Sequence, residues 1–205
     1  EVLLEGAASD EEARNRFLGR IDEASRRLEG LIDDVLALAR LEARHREMTP
    51  EKVRVADVIR EAVKGQTAAL EDKRIECRLT LNSVELQAAG TWVRRAVENL
   101  LVNAIRYSPA GEIIVIELTG HDDRAVVTVR DAGPGVSEAM RDRLFERFVT
   151  DRREPNQTGL GLAIVRTVAE LHDGNVTLLD SEKGACFRLD LGHFRPTDGS
   201  WHSPV

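Results

Sequence analysis

The chain has 205 residues, of which 42% are hydrophobic and 32% are charged, and its formal net charge is −7. This length allows one good core plus a smaller accessory unit, and the composition excludes global disorder. Positive and negative residues are mixed along the chain, which argues against a basic surface for nucleic acid or anionic membrane. No apolar run approaches the ~20 residues that span a bilayer. Cys77 and Cys186 lack the spacing of a zinc site or disulfide framework, so we expect two core thiols.

The region up to about Thr49 has helical periodicity and almost no strand pattern. Ser9 and Glu12 have the spacing of a capping box, and Val2 to Leu4 resemble the end of an earlier helix. Apolar residues then form a heptad seam that three further residues widen. The seam is Phe17, Ile21, Ala24, Leu28, Leu31, Val35 and Leu38, widened by Ile32, Leu36 and Leu41. We therefore expect 1–49 to be part of a helical hairpin that forms a dimeric helical bundle.

From Pro50 onward, strand and helix patterns interleave without regular βαβ units. This favours an α+β fold in which helices cover one face of a mixed sheet. Strands are predicted at 52–55, 75–81, 113–118, 125–129, 176–179 and 185–191, and the third and fourth should pair antiparallel. Helices are predicted at 56–70, 91–107, 137–145 and 159–171. The segment 151–158 reads as a loop, and 193–205 as a frayed, flexible tail.

Two asparagines, Asn99 and Asn103, lie one turn apart on the helix predicted at 91–107. A carboxamide oxygen is a hard ligand that suits Mg²⁺, and Mg²⁺ also takes phosphate oxygens. The pair alone is weak evidence for such a site, because capping or solvent-facing asparagines give the same pattern.

Asp131 follows the strand predicted at 125–129 and begins the segment Asp-Ala-Gly-Pro-Gly. Its carboxylate can accept a hydrogen bond from an exocyclic amine such as that of adenine, and Gly133 and Gly135 permit close backbone approach. By itself, the segment is more typical of a strand-to-helix turn.

A third segment, Thr158-Gly159-Leu160-Gly161-Leu162, opens the last long helix. Free backbone N–H groups and the helix dipole favour phosphate at such a position. The segment is neither a Walker loop nor a Rossmann fingerprint, and alone it fits a tight turn.

The three segments occur in one order, with Leu-Phe-Glu-Arg-Phe at 144–148 and a polar loop between the last two. This order resembles the nucleotide-binding signature shared by histidine kinases, Hsp90, MutL and DNA gyrase. Asn-Leu-Leu-Val-Asn-Ala-Ile-Arg-Tyr-Ser-Pro at 99–109 resembles the asparagine box of histidine kinases. The resemblance covers 53–191 and implies a Bergerat-type ATP-binding domain at 50–192. The heptad helix in turn resembles the family's dimerisation domain.

The resemblance implies a site for ATP and Mg²⁺. Asn103 would ligate the metal, Asn99 would help to hold the metal–phosphate cluster, and Arg106 would face the phosphates, which makes these three the catalytic set. Tyr107 would pack on adenine or ribose, and Asp131 would bind the adenine amine. The glycine-rich segments would supply the remaining contacts, from Gly133, Gly135, Thr158, Gly159, Leu160, Gly161 and Leu162. The ATP lid would be 136–158.

Asn99 discriminates between two reactions within the resembled family. Relatives that hydrolyse ATP place a glutamate at this position as general base for water, and an amide cannot take that proton. Glu98 is adjacent but rotated by about 100° around the helix. We therefore expect phosphoryl transfer to a protein histidine and onward to the aspartate of a response regulator, as in a two-component sensor histidine kinase.

The sequence also departs from the resembled pattern. Gln157 replaces a glycine of the last box, and Ala185 and Cys186 stand where threonines are frequent. The phosphoacceptor histidine is expected before Glu1, so the sequence as it stands should bind Mg-ATP without phosphorylating itself. His45 and the other histidines read as structural or exposed.

Two alternatives stay open: an anti-sigma-type serine kinase with the same ATP site, and a catalytically silent module in which nucleotide only orders the lid. The heptad helix and the Tyr107-Ser108-Pro109 ending argue against the serine kinase. Expected partners are a second copy of the chain, a response-regulator receiver domain and ATP, with no nucleic acid. The expected location is the cytoplasmic portion of a membrane-anchored protein.

Overall fold

A computed structural model describes residues 11–44, 48–121, 123–150 and 158–194. A long N-terminal helix precedes an α/β sandwich. The helices are α1 (Glu11–Arg44), α2 (Val55–Gly65), α3 (Thr67–Asp72), α4 (Gly90–Tyr107), α5 (Glu138–Arg141) and α6 (Gly161–Leu171). The strands are β1 (Glu51–Arg54), β2 (Glu76–Leu81), β3 (Glu85–Ala88), β4 (Ile113–His121), β5 (Arg124–Arg130), β6 (Asn175–Leu179) and β7 (Cys186–Leu191). Within these ranges, no helix has both the length and the apolar character of a membrane span.

The main sheet has the strand order β2-β4-β5-β7-β6, and a separate two-stranded sheet pairs β1 with β3. Strands β2 and β4 run parallel, whereas every other neighbouring pair is antiparallel, so the predicted mixed sheet is confirmed. Alternate residues of β5, namely Ala125, Val127 and Val129, are fully buried. The alternation shows that one face of the sheet forms the core.

Helix α4 packs between α2 and α6 and contacts β5. Its apolar face carries Val93, Val97 and Leu100, all with no exposed surface, as its sequence pattern predicts. From α6, Ile164 and Val168 are equally buried. Each such aliphatic side chain stabilises the fold by roughly 1.5–3 kcal/mol through burial.

Two helix predictions are wrong in part, and one strand was not predicted. The helix predicted at 56–70 is interrupted at Gln66, because Gly65 weakens the helix and the Thr67 hydroxyl donates to the Lys64 carbonyl (2.9 Å). Strand β3 was not predicted, since it is four residues long and gains its stability from pairing with β1. The helix predicted at 137–145 ends at Arg141, because the next residues form tighter turns with hydrogen bonds to the third preceding residue.

Helix α1 divides its apolar residues between two environments. Leu38, a member of the predicted seam, is buried with Leu41 where the end of α1 packs against α6. Farther towards the N-terminus, most of the predicted stripe is exposed, as is the adjacent Leu18, whereas Phe17 and Leu31 are half-buried. The exposed large members of the stripe are Ile21, Leu28, Ile32, Val35 and Leu36. The dimeric bundle that would cover this stripe stays a prediction, and the capping residue Ser9 lies outside the described residues.

The two thiols differ in their surroundings. Cys186 is buried, as predicted for a core thiol, whereas Cys77 is half-buried. Partial burial raises the pKa of the Cys77 thiol to about 11. Both cysteines are free.

The end of the described chain closes over His172, which has no exposed surface. Its Nε2 accepts the Ala89 N–H (3.1 Å), and its Nδ1 lies 2.7 Å from the Val168 carbonyl oxygen. The Phe194 ring packs against the imidazole, and the Phe194 N–H donates to the Gln87 carbonyl (2.8 Å). Phe194 therefore belongs to the folded domain, although the sequence places it in a frayed tail.

His172 predicts a pH dependence of stability. Burial lowers the pKa of His172, so below the ordinary histidine pKa the unfolded state binds more protons than the folded state. Stability should therefore fall with acidification through that range, by up to about 1.4 kcal/mol per pH unit. Urea unfolding of the parent chain and of His172→Gln at a series of pH values measures this. Equal pH slopes in both proteins would exclude His172 as the source.

Candidate functional site

A cavity of about 570 Å³ opens among α4, α6, the segment after β5 and the middle of α1. All of the predicted site residues line it except Gly133 and Leu160. Those on the lining are Asn99, Asn103, Arg106, Tyr107, Asp131, Gly135, Thr158, Gly159, Gly161 and Leu162. A cavity of this size suits a small organic ligand, so the fold brings three distant sequence segments to one binding site.

The α4 wall of the cavity presents Asn99 and Asn103 on one face, one turn apart. Among the described residues, the buried Asn99 Nδ2 has no hydrogen-bond partner. A buried donor left unpaired costs about 1–3 kcal/mol, so its presence beside a cavity indicates a ligand group that would accept from it. A Cβ atom at Gly161 would lie 3.2 Å from the Asn99 Oδ1, so a side chain there would press on the Asn99 amide.

Asp131 is only 5% exposed at the end of β5. Its Oδ1 accepts the N–H groups of Gly133 (2.8 Å) and Ala185 (2.9 Å), while its own N–H donates to the Ala185 carbonyl (2.9 Å). Burial raises the pKa of this carboxyl, although the two N–H donors act in the opposite direction. In the described part of the chain, both hydrogen bonds to this carboxylate end on Oδ1, which leaves Oδ2 for a donor in the cavity.

Gly133 has a structural role at the cavity edge. A Cβ atom at this position would lie 2.8 Å from the Tyr107 carbonyl oxygen, so only glycine lets the loop sit against the end of α4. The Ala132 N–H donates to the buried Ser108 Oγ (3.2 Å) and joins the same two segments. Sequence reasoning noted Ser108 only as a helix end and missed this contact.

The N-terminus of α6 forms a further wall. Leu160 is fully buried below it, and its carbonyl accepts the first intrahelical bond from the Ile164 N–H (2.9 Å). Within the described part of the chain, the N-cap residue of this helix, Leu160, supplies no side-chain hydrogen bond to it. The N–H groups of the first turn, beginning at Gly161, therefore lack helical acceptors and can bind an anion.

Gly159 lies outside α6, contrary to the predicted helix start, because its φ of 68° is left-handed. Its carbonyl accepts the Phe148 N–H (2.8 Å), and a Cβ atom here would lie 2.6–2.9 Å from the backbone of Phe148 and Val149. Just before this contact, Phe145 packs edge-on against Phe187 of β7, with ring centroids 6.3 Å apart. Residues 145–148 are thus held at two points: Phe145 packs on the sheet, and the Phe148 N–H bonds to Gly159.

Sequence reasoning missed two parts of the lining. One is apolar and includes Val102, Met140 and Val149. The other comes from α1, whose Asp34 carboxylate accepts the Thr158 hydroxyl (2.8 Å) and pairs with Arg95 of α4 (3.0 Å). A polar position on an exposed helical face gives no sequence signal for such a contact.

The model of the Histidine kinase-, DNA gyrase B-, and HSP90-like ATPase family matches residues 88–193, just over half of the chain. The chain belongs to this family. The match contains α4, the Asp131 segment and α6, three of the elements that form the cavity. The predicted recognition of a histidine-kinase-type ATPase domain is confirmed.

Relatives of this ATPase domain are sensor kinases. The sensor histidine kinase RppB of Synechocystis sp. is 34% identical over 95% of the chain, which corresponds to 44% of RppB. The solved structure of the mycobacterial sensor histidine kinase MprB is 28% identical and covers 71% of the chain and all of the MprB chain, with a TM-score of 0.63. Full-length ShkA in complex with AMPPNP is 25% identical and covers 91% of the chain and 40% of ShkA, with a TM-score of 0.71. The chain spans less than half the length of the curated relatives it matches.

The donor set of this ATPase domain restricts the kind of metal site. In the described ranges, no group of three or more His, Cys, Asp or Glu side chains could hold a metal ion. A metal in the cavity would therefore need carboxamide, water or ligand oxygens to complete its coordination, and oxygen donors of this kind suit Mg²⁺. Asn99 and Asn103 fit such an ion when a phosphorylated ligand completes its coordination.

Gly159 and Gly111 provide a matched test of the lid attachment. Both have left-handed φ values, but a Cβ atom at Gly111 meets nothing within 4 Å. Gly111→Ala should cost only the backbone strain, roughly 1–2 kcal/mol. Gly159→Ala should add a steric clash and expose the Phe148 amide to hydrogen exchange. Equal exchange at Phe148 in the two variants would contradict the attachment.

Proposed function

We propose that the chain binds Mg-ATP in this cavity and presents the γ-phosphate for transfer to a histidine of a sensor kinase. The main support comes from two features of the described residues that border the cavity: the buried Asn99 Nδ2 has no hydrogen-bond partner, and the N-cap residue of α6 supplies no side-chain cap. Asp131 lines the same cavity. The Asn99 amide and the first N–H groups of α6 can donate to anionic oxygens, and the Asp131 carboxylate can accept from an amine. The combination suits a nucleotide better than a sugar or a lipid.

Adenine recognition is assigned to the Asp131 side of the cavity. With Oδ1 fixed by two backbone N–H groups, the orientation of the carboxylate is set before ligand arrives. Its Oδ2 would accept the exocyclic amine of adenine. The backbone N–H of Ala185 makes its bond without a side chain, so the replacement of threonine at this position leaves the Asp131 anchor intact.

Phosphate binding is assigned to α4 and the start of α6. Asn103 would ligate Mg²⁺, Asn99 would hold the phosphate cluster, and Arg106 would add positive charge at the last turn of α4. The ion, when bound, would neutralise phosphate charge. Gly161 would keep the backbone N–H groups of α6 within reach of phosphate oxygens.

Transfer is favoured over hydrolysis because no carboxylate on the described cavity lining is placed to activate water. Glu98 is absent from the lining, and its Oε1 accepts the Arg94 Nε–H (2.8 Å). The two lining carboxylates are Asp131, held by N–H groups, and Asp34, held by Thr158 and Arg95. Catalysis would then depend on positioning and charge neutralisation.

In the proposed function, the chain acts as part of a longer sensor kinase. The phosphoacceptor histidine, the response-regulator aspartate and the membrane anchor would belong to parts outside this chain or to its partners. The exposed stripe of α1, from Ile21 to Leu36, would pair with a second copy in a helical bundle.

Asn103→Ala tests the metal assignment. The variant should lose the gain in ATP affinity that Mg²⁺ gives the parent chain, because the side-chain oxygen ligand is removed. Calorimetric titration with ATP in Mg²⁺ and in EDTA measures this gain. Asn82→Ala, which removes an exposed asparagine outside the cavity lining, is the matched control and should retain it.

An Asn103→Ala variant with undiminished Mg²⁺ dependence would support the silent-module alternative instead. ATP labelled on the γ-phosphate tests the reaction class in the parent chain. Little free phosphate is expected, and rapid release would reject transfer in favour of hydrolysis.

Asp131→Asn tests base recognition. The parent should prefer ATP over inosine triphosphate by about tenfold or more, because the inosine base lacks the amine that the carboxylate accepts from. In the variant this preference should shrink, since an amide can donate to the inosine oxygen. Asp180→Asn, at an exposed position beyond β6, controls for the charge change.

The raised pKa of Asp131 also gives this preference a pH dependence. A protonated carboxyl can no longer accept hydrogen bonds with both oxygens. As the pH is lowered, the preference for ATP should therefore begin to decline before the pH reaches the ordinary aspartate range. A preference that is unchanged down to that range, or an equal preference in Asp131→Asn, would remove Asp131 from adenine recognition.

A further inference from the structure

Lys73 lies in the turn between α3 and β2 and is absent from the cavity lining. Its Nζ donates to three carbonyl oxygens at the end of α4: those of Ile105 (2.8 Å), Arg106 (2.7 Å) and Ser108 (3.3 Å). An ammonium group has three donors, so this geometry uses all of them. Because the last carbonyls of a helix are unpaired and carry partial negative charge, a cation there orders the final turn.

The backbone of Lys73 strengthens the same connection. Its carbonyl accepts the Gly111 N–H (3.0 Å). Strand β2 begins three residues later at Glu76, whose N–H donates to the carbonyl of Glu112, the residue before β4 (3.1 Å). The side chain thus holds the end of α4 while the backbone holds the loop that follows. Lys73 connects the outer strand of the sheet to the final turn of α4 and its following loop.

The final turn of α4 is also part of the cavity. The side chains of Arg106 and Tyr107 line it, and the next residue, Ser108, accepts the Ala132 N–H through its Oγ (3.2 Å). Gly133 sits against the Tyr107 carbonyl oxygen. A shift of this turn would therefore move the phosphate-facing arginine and the Asp131 loop together.

We propose that Lys73 is a positioning residue of the nucleotide site, which holds Arg106 and Tyr107 directly and the Asp131 loop through Ser108. The inference rests on the proposed function and deepens it. Lys73 makes no contact with the ligand itself. Arginine would be a poor substitute, because its planar guanidinium cannot direct donors to three converging carbonyls as an ammonium does.

Lys73→Met is the test variant, since methionine retains much of the apolar stem and removes the three donors. Mg-ATP affinity is measured by calorimetry at a temperature well below the melting transition of every variant. Affinity should fall about tenfold, the effect of losing one or two charge-assisted hydrogen bonds. Lys64→Met is the matched control, because Lys64 is an exposed lysine in the last turn of α2 and should leave the affinity unchanged.

A dissociation constant measured on fully folded protein separates positioning from stability. A residue that only stabilises the fold would lower the melting temperature of Lys73→Met and leave its affinity equal to that of Lys64→Met. Combining Lys73→Met with Ser108→Ala adds a second criterion. Because Ser108 transmits part of the effect, the two losses in affinity should be less than additive, whereas additive losses would reject the link.

Lys73→Gln, which keeps amide donors, takes the place of the methionine variant if that variant does not fold. A parent chain that fails to bind Mg-ATP would overturn the proposed function and this inference with it. A parent that binds, with Lys73 variants that bind equally well, would overturn this inference alone.

Discussion

The organisation of the site depends on the backbone around Asp131. At the end of β5, this residue forms a reciprocal pair with Ala185, giving its N–H to one carbonyl and taking an N–H on its carboxylate. Gly184 permits the close approach, because a Cβ atom there would lie 2.0 Å from the Asp131 carbonyl oxygen. One buried carboxylate therefore aligns β5, the turn before β7 and the loop that follows, at the cost of its own desolvation.

The end of α4 is held in place by its contacts with the Asp131 loop. Ser108 receives the Ala132 N–H, and Gly133 packs on the Tyr107 carbonyl, so the helix end and the Asp131 loop form one unit. Cavities that hold a polyanion need donors whose orientation is set in advance. Here the Asp131 loop is oriented by main-chain contacts, which explains why glycine stands at position 133.

Helix α1 packs against the sandwich through polar and apolar contacts. Asp34 pairs with both Thr158 and Arg95, and Arg147 contacts Glu42 farther along the helix. The buried Leu38 and Leu41 support the same contact through apolar packing. Polar contacts thus connect α1 with α4, with Arg147 and with Thr158, which precedes α6.

The sequence alone determined most of the element types, the apolar faces of α4 and α6, and a set of site residues of which all but Gly133 and Leu160 line the cavity. Helical period, strand alternation and glycine placement are local patterns, so the sequence is enough to identify them. Tertiary structure decided the rest. Gln66 interrupts a continuous helical pattern, β3 exists only through pairing with β1, and Phe194 is buried by packing on His172. The roles of Asp34, Lys73 and Ser108 depend on residues 24 to 124 positions away, and no local pattern encodes such contacts.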